Sequence, residues 1–254
     1  MKRVKGERMS NVIQEFSRFA HQYNKHNMIQ AEVAKTLISK LPLQTYSTIL
    51  DLGCGSGEVF KNLQKQYISF DSLSAFDSAQ SMLDIHPEAK KITDVCADFN
   101  DKNFLKSLPR DHYDLLLSSS AIQWSEDLSF TLSAISSLSQ TAYLAIFTSG
   151  TFKTLHQTAN ISSPIYSAEE LQKNILQHYD DATFELHHYT LHFDSVRDMF
   201  SYIKKSGVSS GEKKLSYKQT KVLMKTYPLD HLEFEVLFVE AKNLGVVSRQ
   251  HQIF

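Results

Sequence analysis

The sequence predicts an α/β domain built on a mainly parallel sheet with helices on both faces, and three observations carry that reading. The run Ile49-Leu50-Asp51-Leu52 feeds directly into Gly53-Cys54-Gly55-Ser56-Gly57, a buried-type strand delivering the backbone into a tight glycine turn ahead of a helix. Two further strand-like runs end in the same way on a carboxylate, at Asp77 and at Asp98. Between Ile49 and Thr148 such runs alternate with helical-period segments, the pattern of repeated strand-helix-strand units.

At 254 residues, the chain suits one domain with an elaboration, long enough to bury a substantial core. Lys plus Arg number 27 and Asp plus Glu 28, so a net charge of −1 gives no global reason to expect nucleic acid or membrane. Cys54 and Cys96 are the only cysteines, which offers neither a disulfide framework nor a zinc spacing and favours a reducing cytoplasm. No apolar run approaches transmembrane length, and the basic start, Met1 to Ser10, precedes no continuous apolar segment. Residues 1–10 are expected to form a flexible basic tail, 11–242 a single domain and 243–254 a fraying end.

From Asn11 to Lys40 the apolar residues recur at helical spacing, with Phe16, Phe19, Ala20 and Tyr23 followed by Ile29, Val33, Leu37 and Ile38. Two helices therefore precede the first strand. The glycine turn, Asp-x-Gly-x-Gly-x-Gly, differs from the Gly-x-Gly-x-x-Gly of nicotinamide and flavin sites, and no lysine follows as in a P-loop. Glycine suits it by permitting positive φ and letting a ligand lie against the backbone. Ser69 to Phe76 reads as the second strand, and Asp77 lies about twenty residues beyond Gly57, where a dinucleotide-type fold places a carboxylate against ribose hydroxyls. The third strand, Ile92 to Ala97, leads into Asp98-Phe99, and the fourth, Tyr113 to Ser118, opens into Ser119-Ser120-Ala121-Ile122-Gln123-Trp124. Ligands of parallel sheets sit at the carboxyl ends of the strands, so this loop borders the reacting centre.

Helix Leu128 to Leu138 and strand Ala142 to Thr148 complete the parallel half, and Ser167-Ala168-Glu169-Glu170 reads as a helix start with favourable charge. Phe184 to Phe193 and Leu232 to Ala241 form a closing antiparallel pair, interrupted by residues 194–228. His187, His188 and His192 invite a metal reading because His188 and His192 share a strand face. With no carboxylate or Cys at ligand spacing, no metal is expected. From Arg197 to Lys225 eight Lys or Arg stand against Asp198 and Glu212. One helix there aligns Lys218, Lys221 and Lys225, and Arg197 and Lys204 share a face on the other, so an acidic macromolecular partner is a reading beside that of a solvated face.

The strand and glycine turn Ile49 to Gly57, the acidic motif Asp77-Ser78-Ala79-Gln80-Ser81-Met82-Leu83 and Asp98-Phe99 resemble, in that order, the class I S-adenosylmethionine-dependent methyltransferases. That family has a Rossmann-like, seven-stranded, mainly parallel sheet, here with a small helical cap made of residues 11–40 and 194–228. The resemblance implies a cofactor site of Tyr23, Gln30, Asp51, Gly53, Cys54, Gly55, Gly57, Asp77, Ser78, Met82, Asp98, Phe99 and Ser118, with S-adenosylhomocysteine as product. Across nearly the whole chain, Phe16 to Gln30, Ala-Ile-Gln-Trp at 121–124, Leu144 to Thr148, Ser195 to Gly207 and Pro228 to Lys242 resemble one branch, the malonyl-acyl-carrier-protein O-methyltransferases of biotin synthesis. Gly207-Val208-Ser209 and Ser119 depart from that branch, where Gly-Ala-Asn and Asn are usual. The branch implies an acyl-carrier-protein partner, met by Trp124, Lys204, Lys218, Lys221 and Lys225. It places Tyr23 at the cofactor's cationic end; Arg18 or Arg197 is a candidate to orient the malonyl carboxylate because guanidinium forks match carboxylates, while a fully formed charge pair would quench the nucleophile. A carboxylate acceptor needs no general base. Other acceptors on the same fold are a small-molecule acid or RNA, the latter lowered by the absence of an Asn-Pro-Pro-Tyr-type motif after Ser118, and a regulatory protein without turnover is a third reading. A cytoplasmic protein without nucleic-acid or membrane contacts is expected; the sequence does not reveal its oligomeric state, a monomer being favoured.

Overall fold

The computed structural model describes residues 27–205 and 216–243, without the side chains of Lys204 and Lys205. Tyr23, Arg18, the Lys204 side chain, the first predicted helix and both tails lie outside the described residues.

Seven strands form one sheet in the order β3-β2-β1-β4-β5-β7-β6. They are β1 (Thr45–Leu52), β2 (Ser69–Asp77), β3 (Ile92–Cys96), β4 (Leu115–Ser119), β5 (Thr141–Phe147), β6 (Asp181–His192) and β7 (His231–Lys242). The first five run parallel, whereas β7 pairs antiparallel with both β5 and β6. The order reverses at β1, between β2 and β4. This is the switch point at which an open α/β sheet opens a crevice beyond its strand ends.

Successive residues of the central strands feed opposite cores. Ile49, Leu115, Leu117 and Tyr143 pack on one face, with α1 (Met28–Ser39), α2 (Glu58–Lys65), α7 (Val196–Lys205) and α8 (Tyr217–Thr226). Leu50, Leu52, Leu116, Leu144 and Ile146 pack on the other, against α4 (Leu128–Leu138) and α6 (Ala168–Ile175). Burial on both faces makes these strands read as continuous apolar runs instead of alternating ones. Local chemistry starts the helices where expected: the Asp127 side chain accepts from Phe130 N, and Ser167 with Glu170 makes a reciprocal capping box. Ser216 and Gln219 make a second one at the head of α8. The short α3 (Gln80–Leu83) and α5 (Lys153–Ala159) complete the helices named here.

Candidate active site

The site is built where β1 ends. Gly53 N and Cys54 N both donate to Phe76 O, at 2.8 and 2.9 Å, so the turn is tied to the neighbouring strand before α2 begins. Gly53 has φ +78°, and a Cβ there would lie 2.2 Å from Ala121 Cβ. Gly55 has φ +50°, and a Cβ would meet nothing within 4 Å. The first glycine therefore lets two loops touch, and the second leaves open space above the turn.

Asp77 clamps this arrangement. Its Oδ2 accepts from Gly55 N and its Oδ1 from Ala79 N, both at 2.9 Å. Each oxygen keeps lone-pair capacity for one more donor, the requirement for holding a vicinal diol. Burial raises its pKa, and the backbone hydrogen bonds oppose that shift.

A partly open cleft lies above the turn, of the concave, mostly apolar kind that holds small-molecule cofactors. Gly53, Cys54, Gly55 and Ser56 form its floor, Asp77, Ser78, Met82 and Phe99 one side, and Gln30, Ser119, Ser120 and Trp124 another. Met82 and Phe99 are buried apolar plates, 2 % and 7 % exposed. Among the described residues, five buried polar atoms of this lining find no partner: Gln30 Oε1, Ser56 Oγ, Ser119 Oγ, Ser120 Oγ and Trp124 Nε1. Buried polar atoms are normally satisfied, so a cradle ringed by orphans is shaped for a polar ligand that supplies the partners. Glycine floor, diol acceptor, apolar plates and polar ring together fit S-adenosylmethionine.

The structure redistributes several expected site residues. Ser118 is buried with its hydroxyl donating to Leu52 O at 2.8 Å, and the cavity is lined instead by Ser119 and Ser120. Asp98 stands off the lining, where its Oδ1 accepts from Asn100 N and Nδ2 at 2.9 and 3.1 Å and so braces the loop that presents Phe99. Gly57 is set back because its Cα faces His86 and Pro87, with Pro87 Cδ only 2.5 Å from an added Cβ. Asp51 lies fully buried behind the turn, both carboxylate oxygens unpartnered among the described residues. Burial, then the neighbouring Asp77 carboxylate, pushes its pKa well above the usual carboxylate range. The Cys54 thiol is raised in the same way, first by burial and then by Asp77 and Asp51, which leaves it neutral.

Helix α1 is the described part of the expected cap that reaches the cavity, through Gln30 and Ala34. Helices α7 and α8 pack on the same sheet face through Met199, Tyr202, Ile203 and Leu223 but line none of it. Arg197 is exposed on α7 and therefore does not point to a role at the described cavity. Lys218, Lys221 and Lys225 are exposed on α8, beside a groove lined by Thr158, Val222 and Leu223.

Sequence reasoning missed Ser56 and Glu58 as lining residues, while Ser119 and Ser120 belong to the loop expected to border the reacting centre and do line the cavity. Glu58, the first residue of α2, pairs with Lys61 at 2.9 Å. Ser120 carries a φ of +63° that turns the chain into the cavity, and that is a property of the fold.

Residues 49–140 match the family model described as a methyltransferase domain. The chain is 28% identical over 243 residues to the malonyl-[acyl-carrier protein] O-methyltransferase of Acetivibrio thermocellus, covering 84% of this chain and 83% of that one. It is 27% identical over 213 residues to the protein of the same name from Haemophilus influenzae, covering 81% and 80%. Among solved structures, the YcgJ protein of Bacillus subtilis shares the fold with a TM-score of 0.58 at 13% identity, over 84% of this chain and 99% of that one.

Proposed function

We propose that this chain, a class I S-adenosylmethionine-dependent methyltransferase, esterifies the free carboxylate of a malonyl thioester borne by an acyl carrier protein. The ester would open pimeloyl synthesis for biotin, in the cytoplasm. Support comes from relatives of that name aligned over about four fifths of both chains. Among the described residues, no helix is long and apolar enough to cross a membrane.

The observation that carries the reading is the chemistry of the acceptor side. Gln30, Ser119, Ser120 and Trp124 offer neutral polar groups there, and the described lining includes no histidine or lysine. Of its two carboxylates, Glu58 pairs through Oε1 with Lys61, and Asp77 accepts from the backbone of the turn and is read as the diol acceptor. An amine or hydroxyl acceptor asks for a base, whereas a carboxylate at neutral pH is already a nucleophilic anion. S-adenosylmethionine, when bound, supplies a methyl group activated on a sulfonium. The residues of the chain have the work of holding and drying the site. The glycine turn and Asp77 fix one partner, and Gln30 and Trp124 border the place of the other. Alignment of this kind supplies on the order of several kcal/mol of the barrier. Ala34, Val59, Met82 and Phe99 exclude water and leave the acceptor carboxylate less solvated.

Docking of an acidic carrier protein would fall to the exposed lysines of α8, next to the exposed Tyr217 and Val222. The test incubates the purified chain with methyl-labelled cofactor and malonyl-carrier protein, malonyl-CoA, free diacids or RNA. Label is expected on the malonyl thioesters. Label on RNA alone or on free diacids alone refutes the proposal, and label on none favours a regulatory protein without turnover. Changing Lys218, Lys221 and Lys225 together to Glu should raise KM for the carrier-borne substrate and leave a short thioester nearly unaffected. Equal losses on both would remove carrier docking from α8.

A further inference from the structure

The polypeptide leaves the sheet after His192, the last residue of β6, and rejoins it at His231, the first of β7. Both α7 and α8 therefore hang on this junction. The antiparallel register pairs His192 directly with His231, which puts the two imidazoles on one face of the hairpin. Their ring centroids are 5.0 Å apart. Asp230, one residue ahead of β7, places its Oδ1 2.8 Å from His231 Nδ1 and 3.4 Å from His192 Nδ1. One ligand atom from each of the three residues lies within 4.8 Å of the others.

Two imidazole nitrogens and a carboxylate oxygen are a donor set for borderline first-row ions, whereas calcium and magnesium prefer all-oxygen shells. Ligand bonds to zinc of about 2.0–2.2 Å span separations of 2.8 and 3.4 Å between donor atoms. The backbone ladder already sets the two rings opposite one another, so little ordering remains for an ion to impose. Exposure leaves room for water to complete the shell: the His192 and Asp230 side chains are 68% and 74% accessible and His231 25%. The nearby His188 is different, because it faces a single carboxylate oxygen, Glu235 Oε2 at 3.8 Å, and among the described residues has no second ligand group beside it. The sequence offered three histidines of β6, while the fold selects one of them and recruits Asp230 and His231 from across the hairpin.

The geometry points to a surface site at which His192, Asp230 and His231 bind a divalent transition-metal ion of the zinc class, with water in the remaining positions. Bound there, the ion joins the two stems of the segment that carries α7 and α8. It therefore stabilises the folded junction in proportion to its occupancy.

Isothermal titration of the full chain with zinc chloride, beside calcium chloride, tests the site, with scanning calorimetry in parallel. Zinc should bind at one ion per chain and raise Tm, and calcium should give no heat. His192→Ala and Asp230→Asn, both exposed and outside the core, should each weaken zinc by at least about tenfold, equal to about 1.4 kcal/mol, and abolish the rise in Tm. His188→Ala should change neither. Circular dichroism establishes that each variant is folded. Absence of zinc heat, unchanged affinity in His192→Ala and Asp230→Asn, or an equal loss in His188→Ala overturns the assignment.

Discussion

Replacing Gly55 by Ala separates the cofactor role of the turn from its structural role. Among the described residues an added Cβ meets nothing within 4 Å, so the folding cost is that of a side chain held at φ +50°, about 1 kcal/mol. For a domain of this size that corresponds to a fall in Tm of about 2–4 °C. The same methyl projects into the space where the cofactor should lie against the backbone. Affinity for S-adenosylhomocysteine should therefore fall at least about tenfold, a loss of about 1.4 kcal/mol. Gly57→Ala should show the opposite pattern, because Pro87 Cδ at 2.5 Å and His86 Cδ2 at 2.9 Å must move before a Cβ fits. It should lose more Tm than Gly55→Ala while its folded fraction binds S-adenosylhomocysteine normally. Titration calorimetry with S-adenosylhomocysteine and thermal scans of both variants give the two quantities independently. If Gly55→Ala bound normally, or if Gly57→Ala were the worse binder and the more stable protein, the turn would not face the cofactor as argued.

Three further outcomes follow from the same geometry. Asp77→Asn keeps an oxygen for one backbone N–H but gives up the charged acceptor, so S-adenosylhomocysteine affinity should fall by about 1.5–3 kcal/mol, and unchanged binding would remove Asp77 from the diol. Asp51 has a raised pKa in the folded chain, so the native state holds this proton to higher pH than the unfolded state does. Its contribution must then fall as pH rises above the ordinary Asp range, by up to about 1.4 kcal/mol per pH unit. Asp51→Asn should flatten that slope and be more stable than the natural chain at pH 8 in urea titrations, and parallel slopes would refute the buried, unpaired carboxylate. Trp124→Phe should leave S-adenosylhomocysteine affinity within about twofold, well under the tenfold that 1.4 kcal/mol represents, and raise KM for the acceptor. A loss confined to the cofactor would place Trp124 on the other side of the cavity.

The parts of this molecule that the sequence discloses are those set by short-range chemistry. Helix Leu128–Leu138 falls where its spacing places it because Asp127 caps it locally. The glycine turn and Asp77 are legible because one strand and one turn fix their relation: Gly55 N reaches Asp77 Oδ2 directly. Ser118 shows where this stops. The resemblance names the end of β4, but strand alternation turns that hydroxyl back onto Leu52 O, and the cavity passes to Ser119 and to Ser120 with its left-handed φ. A shift of one residue reverses the direction of a strand side chain, so nearness in sequence is not enough to assign it.

The two functional surfaces differ for the same reason. Most of the cofactor side is written in consecutive β-strand ends, each with its own acid or glycine, and motif order suffices to find it. The acceptor side joins Gln30 of α1 to Ser119, Ser120 and Trp124 beyond β4, elements brought together only when α1 packs over the sheet through Val33 and Leu37. The His192, Asp230 and His231 cluster lies further still from sequence reading, since the whole insertion separates its members along the chain and only the β6–β7 register aligns them. This division also sets how each surface changes. A substitution in the turn strikes a ligand that must be held whatever the acceptor is, whereas substitutions at Ser119 or Trp124, in the loop read as bordering the acceptor, leave the glycine floor intact. Acceptor choice can therefore drift on this fold without loss of the cofactor site, and identity of acceptor is tested by exchanging these loop residues, not those of the turn.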